Sequence, residues 1–186
     1  MIIPVAGFDP SYTNWGSAEG QLCLETGILT DVMTDLQSTK KGKDKQVRVN
    51  SDDLRRCEDL AGHAFTVGER VRVVFSECPV GSQSANAMKS VGVAHGIVGA
   101  MRTKGIIVIE VQAKAVKKAL TGNPNASKAD MIEAAMKLYP DAGWTYHMGK
   151  PTNNCEHRAD AIGAIHAGVL TPEFQQLMTL LQKVSS

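Results

Sequence analysis

Two short apolar runs rich in β-branched residues, Val71 to Phe75 and Gly105 to Val111, enclose a longer stretch, Ser82 to Thr103, whose apolar residues recur at helical spacing. Runs of the first kind read as strands buried on both faces, and parallel neighbours in such a sheet need a crossover, usually a helix, between them. Upstream the pattern changes. Ile2 to Phe8, Trp15 to Leu24 and Gly27 to Leu36 read as extended segments joined by short turns, a three-strand antiparallel meander. Strands first, then strands alternating with helices, predict an α/β domain over residues 1–186: a mixed five-stranded sheet with helices against it.

Further helices are expected at Lys114 to Leu120, Lys128 to Leu138, Glu156 to Ala167 and Pro172 to Lys183, the last opened by Thr171 as cap and Pro172 at the first helical position. Ser51, with Asp52 and Asp53 after it, offers an N-cap for a helix reaching Gly68. Gly92, Gly96 and Gly99 on the long helix suit either close packing on the sheet or an interface with a second chain. Gln37 to Asn50 is polar and basic and reads as a loop. Pro140 to Asn154 reads as an irregular connection in which Trp144, Tyr146 and His147 pack against the core.

Composition excludes several classes. Hydrophobic residues make up 43% and charged residues 21%, as in a globular protein, which rules out disorder and coiled coil. No apolar run approaches the ~20 residues that span a bilayer, so a cytoplasmic protein without a membrane partner is expected. The four cysteines lie far apart with no C-x-x-C pair, against a zinc ribbon or a disulfide scaffold. Twenty basic residues against nineteen acidic ones leave a formal charge of +1, so nucleic-acid binding has to come from local patches. The stretches Gly122 to Ala129 and Gly143 to Pro151 both break the phosphate-loop pattern. Cys155 and His157, two apart on a helix, point to different faces and cannot act as nucleophile and base, which leaves a buried structural cysteine.

Three acids stand at element ends: Asp9 after the first strand, Glu77 after the Val71 to Phe75 run, and Asp160 on the Glu156 to Ala167 helix. Carboxylates drawn from separate elements are what magnesium, a hard cation, requires. His157 and Glu156, three and four residues before Asp160, are its neighbours on the helix.

In that order and spacing the sequence resembles the RuvC-type Holliday-junction resolvases of the retroviral-integrase, RNase H-like superfamily. The resemblance rests on Gly7-Phe8-Asp9-Pro10-Ser11, Trp15-Gly16, Glu77, Gly92-x-x-x-Gly96, the lysines flanking Gly122, and His157-Arg158-Ala159-Asp160-Ala161-Ile162. It implies an RNase H-like fold and a catalytic site of Asp9, Glu77, His157 and Asp160 holding two Mg²⁺ ions, with Mn²⁺ as a substitute. It further implies DNA contacts at Lys117 and Lys128, a homodimer, and resolution of four-way junctions by paired symmetric nicks; Lys114 is a further candidate contact, and the Gly81 to Ser84 turn, with Ser82 and Gln83, either approaches a phosphate through amides and hydroxyls or caps the next helix. Ser11 stands where the family usually has glycine, and Pro79 to Gln83 lacks the aromatic residues of bacterial members, which points to a bacteriophage or divergent bacterial protein. A nuclease for flaps or hybrids and a non-catalytic junction binder are the alternatives on this fold. An actin-like ATPase needs a second phosphate motif and a further domain.

Overall fold

The structure is a computed structural model, and residues 1–42, 48–81 and 84–184 are described. Three strands form the expected meander: β1 (Ile2–Asp9), β2 (Asn14–Cys23) and β3 (Leu29–Ser38). After α1 (Val49–Arg70) come β4 (Val73–Glu77), α2 (Ala85–Thr103) and β5 (Val108–Val111). The chain continues through α3 (Ala113–Thr121) and α4 (Lys128–Leu138), a small hairpin of β6 (Tyr146–His147) and β7 (Lys150–Pro151), then α5 (Cys155–Gly168) and α6 (Pro172–Val184). The main sheet has the order β3-β2-β1-β4-β5, antiparallel from β3 to β1 and parallel from β1 to β5.

Side chains alternate across a strand, and here the alternation divides the core in two. Ala6, Phe8 and Val74 pack with Trp15, Leu60, Val67, Ile97 and Met101 under α1 and α2. Val5, Val73, Phe75 and Ile109 pack with Val116, Met131, Ile162, Ile165 and Phe174 on the opposite side, where α3 to α6 lie. Asp9 shares the parity of Val5, and Glu77 that of Val73 and Phe75, so both acids belong to the α5 side.

Helix α5 lies close on the sheet because glycines make room. A Cβ on Gly7 would stand 1.9 Å from the Ala161 carbonyl oxygen, and one on Gly16 2.2 Å from that of His157. At the far end, a Cβ on Gly168 would meet the Phe75 ring at 1.9 Å. The buried Arg158 ties the same helix to β3, donating from Nη1 to the Thr34 carbonyl at 2.7 Å.

Several expectations are corrected. Helix α1 starts at Val49, with Arg48 in the cap position, and Ser51 lies inside the helix. Asp52 still falls in the first turn, where it accepts from Gly42 N–H and from Arg55. The long helix starts at Ala85, capped by Ser84, whose hydroxyl accepts from the Ala87 amide. Gly92, Gly96 and Gly99 do not mediate close packing on the sheet, since a Cβ on any of them would have nothing within 4 Å. Within the 140–154 connection, Met148 and Gly149 both take positive φ and turn the β6–β7 hairpin. Trp144 does pack on the core, donating from Nε1 to the Tyr139 carbonyl, while Tyr146 and His147 are exposed. The basic stretch is shorter as a loop than expected, because Gln37 and Ser38 complete β3; residues 43–47 lie outside the described residues.

Candidate active site

The register that aligns Phe8 with Ser76 brings Asp9 and Glu77 out beside each other at the carboxyl ends of parallel β1 and β4. Ligands of open α/β sheets sit at such strand ends. Because Gly16 and Gly7 let the first turns of α5 settle against β2 and β1, His157 and Asp160 arrive at the same edge. His157 Nδ1 lies 2.5 Å from Asp9 Oδ2, with both side chains less than one-fifth exposed.

The electrostatics record how close the acids stand. Glu77 is pushed up to about 7, first by burial and then by the charges of Asp9 and Asp160, with Lys117 pulling the other way. Asp160 is likewise pushed up to about 7 by burial and Asp9, and further by Glu156, against the pull of His157 and Lys117. For His157, burial favours the neutral ring, but the bond to Asp9 and the charges of Asp9, Glu156 and Asp160 outweigh it and raise its pKa. The result is a half-buried set of carboxylates short of positive charge.

Such a set fits a divalent cation: its donors are mainly hard oxygens, and their mutual repulsion is what a dication relieves. Among the described residues no three acidic, cysteine or imidazole groups are already closed into a cation cage. One Asp9 oxygen is engaged by His157.

Two neighbours hold the imidazole. Asn14 Oδ1 accepts from the Ser38 hydroxyl at 2.8 Å, which turns its amide nitrogen toward His157 Nε2 at 3.3 Å. In that arrangement Nε2 accepts and Nδ1–H donates to Asp9. Glu156 Oε1 stands 3.6 Å from the same Nε2 and is the acceptor available to it when the ring is charged. Sequence reasoning did not single out Asn14; its place at the start of the second strand, just after the turn that follows Asp9, was the available signal. It also missed Tyr12, which anchors that turn. The ring of Tyr12 lies 3.7 Å under the Arg56 guanidinium, its hydroxyl donates to Asp53 at 2.6 Å, and its amide donates to the Ser90 hydroxyl.

The expected DNA-contacting residues fall into three groups. Lys117 is half-buried and close enough to act on Glu77 and Asp160, and Lys128 pairs with Glu156 at 2.8 Å. Lys114 is exposed at the start of α3. Ser82 and Gln83 lie outside the described residues. Cys155 is a buried structural residue, its Sγ directed to the Thr145 carbonyl at 3.3 Å.

A mixed five-stranded sheet in this order, with helices on both faces, is the RNase H-like fold. Among solved structures, the chain is similar to RuvC of Thermus thermophilus in complex with a Holliday junction substrate, with a TM-score of 0.63 and 20% identity over 94% of this chain and 96% of that one. A second structure of Thermus thermophilus RuvC gives a TM-score of 0.61 and 20% identity over 96% and 97%. No family model matches the sequence, and no curated protein does. No helix among the described residues is long and apolar enough to cross a membrane.

Proposed function

We propose that the chain is a structure-selective, divalent-metal-dependent endodeoxyribonuclease that resolves four-way DNA junctions by paired symmetric nicks. One observation carries the reading: Asp9 and Glu77 leave adjacent parallel strands on the face where α5 presents His157 and Asp160, within a RuvC-type fold. Asp9, Glu77, His157 and Asp160 would hold two Mg²⁺ ions, or Mn²⁺ in their place. When bound, such ions lower the pKa of an attacking water and stabilise the departing 3′-oxygen. The carboxylates of Asp9, Glu77 and Asp160 confine negative charge to one edge of the sheet, and burial keeps bulk water from screening it. Glu77 and Asp160 give up their protons near neutral pH. His157 can carry a proton beside Asp9 and Glu156.

Lys117, Lys128 and Lys114 would take DNA phosphates. They contribute affinity without reading sequence, which suits recognition of a branched shape. Cutting two strands of like polarity calls for a C₂ dimer, and the exposed glycine face of α2 is the surface we assign to it.

The test is cleavage of strand-labelled four-way junctions beside linear duplex, flap and RNA–DNA hybrid, with magnesium or EDTA and with Asp160→Asn as control. Symmetric magnesium-dependent nicks confined to the junction, with ligatable ends, are the expected result. Cutting mainly of flaps or hybrids moves the function to a broader nuclease. Tight binding without cutting makes it a junction-binding protein.

A further inference from the structure

Lys128 and Glu156 form an ion pair across the mouth of the site. The lysine opens α4, on a side chain 76% exposed, while Glu156 sits in the first turn of α5 and is 19% exposed. Lys128 Nζ lies 2.9 Å from Oε1 and 2.8 Å from Oε2, so the ammonium straddles both carboxylate oxygens. From the other side, Oε1 faces His157 Nε2 at 3.6 Å, and His157 Nδ1 meets Asp9. A line of polar contacts thus runs from an exposed lysine to the acid that ends β1.

An ammonium group held by both oxygens of one carboxylate has two of its three donors turned to them. A DNA phosphate can engage Lys128 fully only by displacing Glu156. We propose that Lys128 exchanges between Glu156 and a DNA phosphate, so that Glu156 is a positioning residue that holds the lysine at the mouth of the site until substrate takes it. This deepens the nuclease reading and rests on it. The exchange also changes what the site presents. Once Lys128 turns to a phosphate, the Glu156 carboxylate stays beside His157 and returns its negative charge to the cluster of Asp9, Glu77 and Asp160 as the substrate arrives. In free protein Lys128 offsets part of that charge. The backbone supports the geometry: Ser127 and Asp130 close a reciprocal capping box that fixes the start of α4, so Lys128 projects from a rigid turn.

Affinity for DNA without metal tests the exchange, because it needs no active enzyme. A fluorescent four-way junction and a linear duplex of equal length are titrated in EDTA with wild type, Glu156→Gln, Lys128→Gln and the double variant. Glu156→Gln is expected to tighten binding by about fivefold at low salt, since an exposed ion pair no longer competes with phosphate. Lys128→Gln should weaken binding and lower the salt slope by about one unit. The deciding comparison is the double variant: in the Lys128→Gln background, Glu156→Gln should change affinity by less than about twofold, because the competitor has nothing to hold. Equal tightening in both backgrounds would overturn the proposal, as it would mean that Glu156 merely repels DNA. Weaker binding by Glu156→Gln would overturn it as well. Glu156→Asp, which keeps the charge on a shorter stem, is expected to lie between wild type and Glu156→Gln. Because phosphates are common to both DNAs, the cycle reads the exchange on either one. Failure to prefer the junction would sink the resolvase reading and leave the exchange intact; no binding to either DNA would end both.

Discussion

Helices α5 and α2 are both rich in small residues, and the structure uses them for opposite ends. On α5, Ala159, Ala161, Ala164 and Ala167 are buried, and Gly163 and Gly168 leave no room for a methyl group against Val116 and Phe75. On α2, Val91, Ala94, Ile97, Val98 and Met101 face the core, while Gly92, Gly96 and Gly99 look into open space. Small residues on α5 bring a helix onto a sheet so that Asp160 and His157 reach Asp9. Those on α2 leave a face that nothing among the described residues covers. Small size in a helix therefore permits close approach, and only the tertiary structure says whether the chain itself uses it.

The largest effect separating the two helices is chemical. Asp160→Asn on α5, or Glu77→Gln beside it, should lower single-turnover cutting of a junction by at least about 10³-fold, the scale for losing a group that acts only in the transition state. Binding in EDTA should stay equal or become tighter, because charge repelling phosphate is removed. Cutting at the wild-type rate by either variant would show that the acids at the sheet edge are not the site.

Next in size is a pH effect confined to the α5 end. Glu77 and Asp160 are held at about 7 in the folded chain, well above their ordinary carboxylate values. Between those ordinary values and about 7 the native state binds more protons than the unfolded one, so stability falls as pH rises through that window, on the order of a few kcal/mol. His157, also raised, acts in the same direction and is lost through its own higher range. His63 and His166 are lowered by burial and act oppositely, gaining stability as pH rises toward their ordinary value. Urea denaturation of wild type and Asp160→Asn from pH 4 to 8 isolates the acid contribution: the variant should show the shallower fall. Added Mg²⁺ should raise wild-type stability more at pH 8 than at pH 5.

The packing side of α5 gives a smaller, purely structural effect. Gly7→Ala places a methyl group against the Ala161 carbonyl, which is backbone and cannot swing away. Overpacking of that kind costs about 1–3 kcal/mol, and pushing α5 outward also draws Asp160 from Asp9, so urea midpoint and cutting rate should fall together. A stable but inactive variant would separate the helix position from the fold.

Much of this arrangement was legible in the sequence, and the failures have identifiable causes. Asp9 and Glu77 stood out because apolar strands lead up to them, Asp160 because its helix resembles the family's last catalytic segment, and the parity of Val5, Gly7 and Asp9 could have placed the first acid on its face of the sheet. The start of α1 was misread because Ser51 looks like a cap before Asp52 and Asp53, yet the helix begins two residues earlier, and the Asp52 carboxylate is taken by Arg55 on the same helix and by Gly42 from the segment after β3. The β6–β7 turn needed positive φ at Met148, a residue type that gives no such signal. Asn14 and Tyr12 act through partners far along the chain, which no local pattern announces. The glycines of α2 were ambiguous for the same reason.

That ambiguity yields the smallest effect and the sharpest contrast. With nothing within 4 Å of Gly92, Gly96 or Gly99, alanine at all three adds methyl groups to open space. Helix propensity then favours the variant by up to about 1 kcal/mol per site, so the urea midpoint of the triple alanine protein should rise where Gly7→Ala lowers it. The α2 face proposed for a homodimer should respond in the other direction: methyl groups would hold two backbones apart, and sedimentation should show a weaker dimer at equal concentration. A fall in stability would mean that these glycines serve contacts within the chain, and α2 would join α5. A rise in stability with an unchanged dimer would keep the contrast between the helices and move the interface away from α2.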